Sequence, residues 1–323
     1  MVGKTQEGFM ELFGVPDFVE SYIHIFFSQE EIDLVLKMGK EEYTVEQISD
    51  LLGESDSSVL VESCYQRFVL DKKIEDGKTL YYIGSFPLRL NNQAMYGNYN
   101  VLPRDLRRKL DEWYFEVYQK DHDYFRVVKE NEPDYENCHN DIVFLLEEAE
   151  EHIDHMDWEI ALVPCDCRML SDSCDYPRET CLHMSETISD RMGGRRITKE
   201  EAKQIIRMAD EKGLMHTGGP AKWREKGSFS LCNCCACCCY PFRAGAKLGT
   251  KGKWPKSNYI VHFNDSMCSS CGRCVERCHF AAWSFDEDGD TIKFNPALCW
   301  GCGLCANTCP TGAIKMEALK KSK

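Results

Sequence analysis

Cys268-Ser-Ser-Cys271-Gly-Arg-Cys274-Val-Glu-Arg-Cys278 is followed by Cys299-Trp-Gly-Cys302-Gly-Leu-Cys305-Ala-Asn-Thr-Cys309-Pro310, and these two runs decide how the chain is read. Both follow the pattern C-x2-C-x2-C-x3-C, and every cysteine of the second stands 31 positions after its counterpart in the first. The register extends beyond the cysteines, since Phe263-Asn264 aligns with Phe294-Asn295. The segment is an internal duplication. Gly272, Gly301 and Gly303 suit loops that must bring backbone close to a bulky inorganic group, because they carry no Cβ to obstruct it.

From about Asn258 to Ile314 the chain resembles the bacterial two-cluster ferredoxins. In that family three cysteines of each run bind one cubane and the fourth ligates the other. The resemblance therefore implies a first 4Fe-4S cluster on Cys268, Cys271, Cys274 and Cys309, and a second on Cys299, Cys302, Cys305 and Cys278. His279 stands where the family pattern has a proline, which bears on the polarity around a cluster and not on its ligation. Two four-thiolate zinc sites would use the same donors, but the paired eight-cysteine pattern favours iron and sulfide.

Composition agrees with a metal-loaded protein. A length of 323 residues with 43% hydrophobic content accommodates two or three domains with cores of their own. Twenty cysteines are too many for ordinary packing. Met1–Gly14 lacks the basic and apolar regions of a secretory leader, and no stretch approaches 18 consecutive apolar residues. The expected location is a reducing cytoplasm, with the cysteines as metal ligands and no membrane insertion. A formal net charge of -14 disfavours a nucleic-acid partner, whose phosphates require a concentrated positive surface.

Outward from the tail, the fold class expected is α+β multidomain: a winged-helix-like docking domain over 1–95, a mixed helical middle domain over 96–257, and a ferredoxin-like domain over 258–323. In the first, Ser28 with Glu31 and Thr44 with Gln47 form capping boxes, a third helix covers Ser57–Leu70, and Ile74–Tyr82 forms a hairpin around Asp76-Gly77. This order is similar to a winged helix-turn-helix domain. Its third helix carries a single basic residue, Arg67, which argues for docking or dimerisation over DNA reading. Asn91–Leu102 reads as a linker, Pro103–Lys129 as a long helix, and Asp141–Ile153 as another. His152 and His155 are assigned to the surface or to capping.

A second cysteine field occupies the middle. Trp158–Val163 reads as a strand delivering Cys165 and Cys167, and Phe229–Leu231 as one delivering Cys232 and Cys234. Residues two apart on an extended strand share a face, so these four are the preferred ligands of a middle site. Cys174, Cys181, Cys235, Cys237, Cys238 and Cys239 compete with them, and a helix after Cys234 would put Cys235, Cys238 and Cys239 on one face. At least one further iron–sulfur cluster is expected here, with zinc, a redox-active thiol site and metal-free packing left open. Between the strands, Thr198 with Glu201 and a closing Gly213 mark a helix. Arg168, Arg195 and Arg196 are candidates to offset thiolate charge.

The sequence P-C-x-C-R, then C-x6-C, then C-N-C-C-x-C-C-C ahead of the duplicated tail resembles, over Val163–Ala313, a family of cytoplasmic iron–sulfur proteins of anaerobic microbes. No dinucleotide-binding fingerprint is present, and Gly193-Gly194 is too short to cradle phosphate. The expected function is single-electron transfer through two 4Fe-4S clusters to or from a middle centre. Redox proteins, among them flavin-containing ones, are the expected partners, within a multisubunit complex or a homo-oligomer. The alternatives are a reductase whose middle site is itself catalytic, and an iron–sulfur redox sensor.

Overall fold

A computed structural model describes residues 2–121, 142–185, 191, 193–219, 224, 227–251 and 255–319. They form two compact units, Met1–Tyr114 and Phe115–Lys323, whose boundary falls within the helix Arg104–Asp121. Of the stretch expected as the middle domain, 96–257, residues 96–114 fall in the first unit and 115–257 in the second, which also holds 258–323.

The first unit begins with the helix Val2–Phe13. Both capping boxes form: Ser28 and Glu31 open Gln29–Met38, and Thr44 and Gln47 open Val45–Leu52, which Gly53 closes in the left-handed conformation. The third helix spans Ser58–Gln66, shorter than expected, because Phe68 at φ 62° turns the chain into strand β1, Leu70–Glu75. Asp76 and Gly77, both at positive φ, make the tight turn to β2, Lys78–Ile83. Burial closes the unit around Phe9, Phe13, Phe26, Phe27 and Phe86, whose rings meet at centroid distances of 4.9–6.4 Å. Arg67 turns inward: its Nε lies 2.8 Å from Glu31 Oε1, and its Nη2 donates to the carbonyl of Phe26 at 3.0 Å. The linker expected over Asn91–Leu102 is replaced by the end of a helix, Phe86–Tyr96, and a 3-10 turn, Tyr99–Val101. The polar asparagines there concealed Leu90, Ala94, Tyr99 and Leu102, all of which are buried.

The second unit is built on a seven-stranded sheet. Its strands are β3 (Ile142–Phe144), β4 (Glu159–Pro164), β5 (Glu179–Ser185), β6 (Arg195–Ile197), β7 (Met215–Gly219), β8 (Ser228–Cys234) and β9 (Lys256–Ser257). Their order is β6-β4-β5-β8-β7-β3-β9, antiparallel throughout except where β3 meets β9. The helices Leu146–Asp154 and Lys199–Lys212 cover the face that presents Ile160, Leu162, Leu182, Met184, Phe229 and Leu231. The helix expected from Asp141 thus starts later, since Ile142–Phe144 pairs into the sheet. The expected continuation of Pro103–Lys129 beyond Asp121 lies outside the described residues. His152 is half-buried, its ring 4.2 Å from that of Phe229, while His155 caps its helix through Glu151 O. His152 is therefore a core residue, because the face it shares with Ala149 and Ile153 is turned to the sheet.

The tail forms two hairpin-sized sheets from β10 (Tyr259–Phe263), β11 (Trp283–Phe285), β12 (Ile292–Phe294) and β13 (Ile314–Ala318). β10 pairs with β13 and β11 with β12, so each sheet draws one strand from each duplicated half. Phe263 faces Ile314 as Phe294 faces Trp283, which is the same pair displaced by the repeat. Positive φ recurs in step as well: Ser270 with Gly301, Gly272 with Gly303, and Ala281 with Gly312.

Candidate metal centres

In each half of the tail a loop carries three cysteines into a five-residue helix, Arg273–Arg277 or Leu304–Thr308, and the fourth cysteine caps its end. One small cavity is lined by Cys268, Cys271, Cys274 and Cys309, so the last cysteine of the second run joins the first three of the first. On the other side Cys278 lies close enough to Cys299, Cys302 and Cys305 to disfavour their ionisation. Burial, reinforced by these neighbours, pushes Cys302 up to about 12, and burial with Cys268 and Cys271 nearby pushes Cys274 up to about 11. Loading metal must therefore displace protons from these thiols. Backbone amides already point at three sulfurs, from Ser270 to Cys268 at 3.4 Å, Gly301 to Cys299 at 3.3 Å and Ala282 to Cys278 at 3.3 Å.

A Cβ on Gly301 would strike Ser257 and the carbonyl of Tyr259, and one on Gly303 would strike Leu145, so protein atoms occupy the space that these residues vacate.

Residues 267–313 match the family model of the 4Fe-4S dicluster domain. That match covers the tail alone, and comparison with curated proteins finds none that matches the chain. The tail is a ferredoxin-type iron–sulfur domain. Its donor chemistry fits the group: the eight thiols of the dicluster domain fall into two sets of four, one of them around its own cavity.

His279, the departure from the proline pattern, serves attachment of the dicluster domain. Its Nε2 donates to the carbonyl of Gly213 at 2.7 Å, just past the helix Lys199–Lys212. Arg277 Nη2 stands 3.5 Å from Asp210 Oδ2 and donates to the Asp210 carbonyl, and Asn307 Nδ2 donates to Asp210 Oδ1 at 3.0 Å. Burial works against the charge of Asp210, but hydrogen bonds from His216 and Asn307 and the Arg277 charge hold its carboxyl below the usual range.

The ten cysteines of the middle field separate into two groups. Six form a closed ring of neighbouring thiols, buried except for the partly exposed Cys232, in the order Cys165, Cys167, Cys239, Cys234, Cys232, Cys181 and back to Cys165. The Sγ atoms of Cys239 and Cys234 are 3.3 Å apart, and Thr217 Oγ1 lies 3.4 Å from Cys234. Hydrogen bonds from Cys165 and Cys232 hold Cys181 below the usual thiol range, and those from Cys232 and Cys239 do the same for Cys234. The four cysteines preferred from sequence, Cys165, Cys167, Cys232 and Cys234, all belong to this ring, together with Cys181 and Cys239.

The strand argument holds for β8, where Cys232 and Cys234 face away from Phe229 and Leu231, but not for the first pair. β4 stops at Pro164, Cys165 caps the helix Asp166–Ser171, and Cys167 sits in its first turn. The helix expected after Cys234 is likewise replaced, by a turn at 236–238, and a helix begins only at Tyr240 with Cys239 as its cap. Cys235 and Cys238 therefore part from Cys239 and gather with Cys237 and Cys174.

Arg168 lies between the groups and is fully buried. It donates to Asn233 O at 2.6 Å, Thr180 Oγ1 at 3.2 Å and the carbonyl of Pro177, and it bonds Cys235. Burial opposes its charge, but Cys165, Cys235 and Cys181 outweigh that and keep it a cation. Arg195 and Arg196 instead pair with Glu201 and Glu159 on exposed ground.

Sequence reasoning missed what joins the ring to the dicluster domain. Phe242, Phe280 and Trp300 pack with centroids 5.2–5.6 Å apart in one apolar cluster that also includes Cys232, Cys234, Cys239 and Cys302. Aromatic residues shortly after Cys239, Cys278 and Cys299 were its signal.

Proposed function

We propose that the chain is a single-electron relay in which the two clusters of the tail exchange electrons with a further iron–sulfur centre on the six-thiol ring. The observation that carries this reading is the aromatic cluster of Phe242, Phe280 and Trp300, which packs with the ring cysteines Cys232, Cys234 and Cys239 and with Cys302 of the tail in one apolar core. When bound, each cluster takes up and gives back one electron at a time. Cys268, Cys271, Cys274 and Cys309 hold the first, and Cys299, Cys302, Cys305 and Cys278 the second. Cys165, Cys167, Cys232 and Cys234 hold the third, with Cys181 and Cys239 completing the set.

The rest of the chain shapes the space around them. Phe242, Phe280 and Trp300 exclude water between ring and tail, which lowers the local dielectric and the reorganisation that accompanies charge movement. Arg168 supplies a fixed positive charge beside the ring thiolates, and amides of the tail loops stabilise charge on cysteine sulfur. The partners are redox proteins, flavin-containing ones among them, in a cytoplasmic complex, and the first unit, in its winged-helix-like order, serves docking.

Anaerobic redox titration followed by electron paramagnetic resonance, with iron and acid-labile sulfide measured on the same sample, tests the proposal. The expected result is iron beyond that of two four-iron clusters and a third reducible signal. Iron sufficient for the tail alone would remove the middle centre.

A further inference from the structure

We infer that Cys174, Cys235, Cys237 and Cys238 form a mononuclear site for one tetrahedral metal ion, zinc or iron, separate from the ring and from both clusters of the tail. A metal with four thiolates at about 2.3 Å sets its sulfurs at the corners of a tetrahedron with edges of about 3.8 Å. Cys174 Sγ lies 3.8 Å from Cys235 Sγ and 3.5 Å from Cys238 Sγ, and Cys237 Sγ lies 3.8 Å from Cys238 Sγ. All four sulfurs are within 4.8 Å of one another.

A cubane needs a wider cradle, because each thiolate binds a different iron and the whole inorganic core lies between them. The same chain displays that contrast. Among the described residues, the groups of three or more ligand atoms mutually within 4.8 Å are this quartet and Cys165–Asp166–Cys167, and neither ferredoxin set is so compact. The tail holds its sulfurs apart, whereas the quartet has closed to the size of one ion.

The surroundings are those of a closed structural site. Ala209, Leu214 and Tyr176 pack against Cys235 and Cys238, and the hydrogen bond from Arg168 to Cys235 offsets part of the negative charge that four thiolates leave on a divalent ion. Cys237 is exposed and gives the ion a path in. Cys174 comes from the irregular stretch between Ser171 and β5, and the other three from the turn after β8. The ion thus ties the segment running from Cys167 to Cys181 to the turn that separates Cys234 from Cys239, and so braces the ring without belonging to it.

The test uses full-length, anaerobically prepared protein. Cys237→Ala, whose side chain is exposed, and the double variant Cys174→Ala with Cys237→Ala are compared with the parent for zinc, iron and acid-labile sulfide. The expected result is loss of one metal ion per chain at unchanged sulfide and unchanged dicluster signals. Absorption-edge fine structure of the parent should give four sulfurs at about 2.3 Å around that ion and no neighbouring iron. At the zinc edge this identifies zinc, and an isolated tetrathiolate iron in Mössbauer spectra identifies iron. Sulfide falling together with the metal in Cys237→Ala, or no metal lost from either variant, would overturn the assignment. These readouts are independent of electron transfer, so they decide the site whether or not the relay holds.

Discussion

His152 was read as a surface group and lies half-buried against Phe229, where burial, helped by Arg224 and His155, pushes it down to about 4. Because its folded value lies below the ordinary 6.5, the unfolded chain takes up a proton that the folded chain refuses. The associated stability is complete above about pH 6.5 and is lost as pH falls toward 4. Discounted for partial solvent access, the loss between pH 7.5 and 5 is about 1–2 kcal/mol. Urea unfolding at both pH values should show this slope in the parent and a flatter one in His152→Phe. A second expectation concerns Cys271, an exposed thiol of the first set. Cys271→Ser should lower iron and sulfide by about one cluster and leave middle-field signals in place; their disappearance from folded protein would show that the sites are not separate. Single residues were legible where chemistry is local, as in the capping boxes. They were not where the partner is distant in sequence, as for Arg67 with Glu31 or Arg168 with Asn233.

At the scale of elements, strands and helices with an amphipathic period were readable, but their ends were set by tertiary pairing. Ile142–Phe144 was absorbed into an expected helix because three residues carry too little period to announce a strand that only β7 and β9 complete. The turn after Cys234 was read as helix for the same reason: local spacing could not reveal that Cys174, 61 positions earlier, draws Cys235 and Cys238 aside. The helix Lys199–Lys212 was found from its caps, but not its use as the anchor of the tail. Its Asp210 gathers Arg277, Asn307 and His216. Asp210→Ala removes the carboxylate that faces a partly buried guanidinium and leaves the Asn307 amide without its acceptor, and should cost the second unit about 2–4 kcal/mol. A shift in the urea midpoint below that of a surface control such as Glu200→Ala is the measurement, and an unchanged midpoint would deny the anchor its role.

For the whole molecule, the duplicated cysteine runs revealed the tail almost completely, since ligand spacing is a constraint that tertiary context cannot alter. The division of ten other cysteines into a ring and a quartet was not legible, because it depends on which strands neighbour one another in the sheet. The core of the tail consists of Ala282, Trp283, Ile292 and Ile314 together with ligand cysteines, and is small for so long a segment. Removal of iron should therefore expose residues after about Asn258 to protease while Met1–Tyr114, with its phenylalanine core, survives as a fragment. Limited proteolysis of holo- and iron-free protein checks this, and equal resistance after Asn258 would contradict it. The exchange of Cys309 into the cavity of Cys268, Cys271 and Cys274 has a consequence for biosynthesis. The earlier of the two compartments cannot be finished when its own loop leaves the ribosome, for its fourth wall is still untranslated. Completion of the first compartment must wait until Cys309 has been made, and a nascent chain stalled after Cys305 would carry all four thiols of the second compartment but only three of the first.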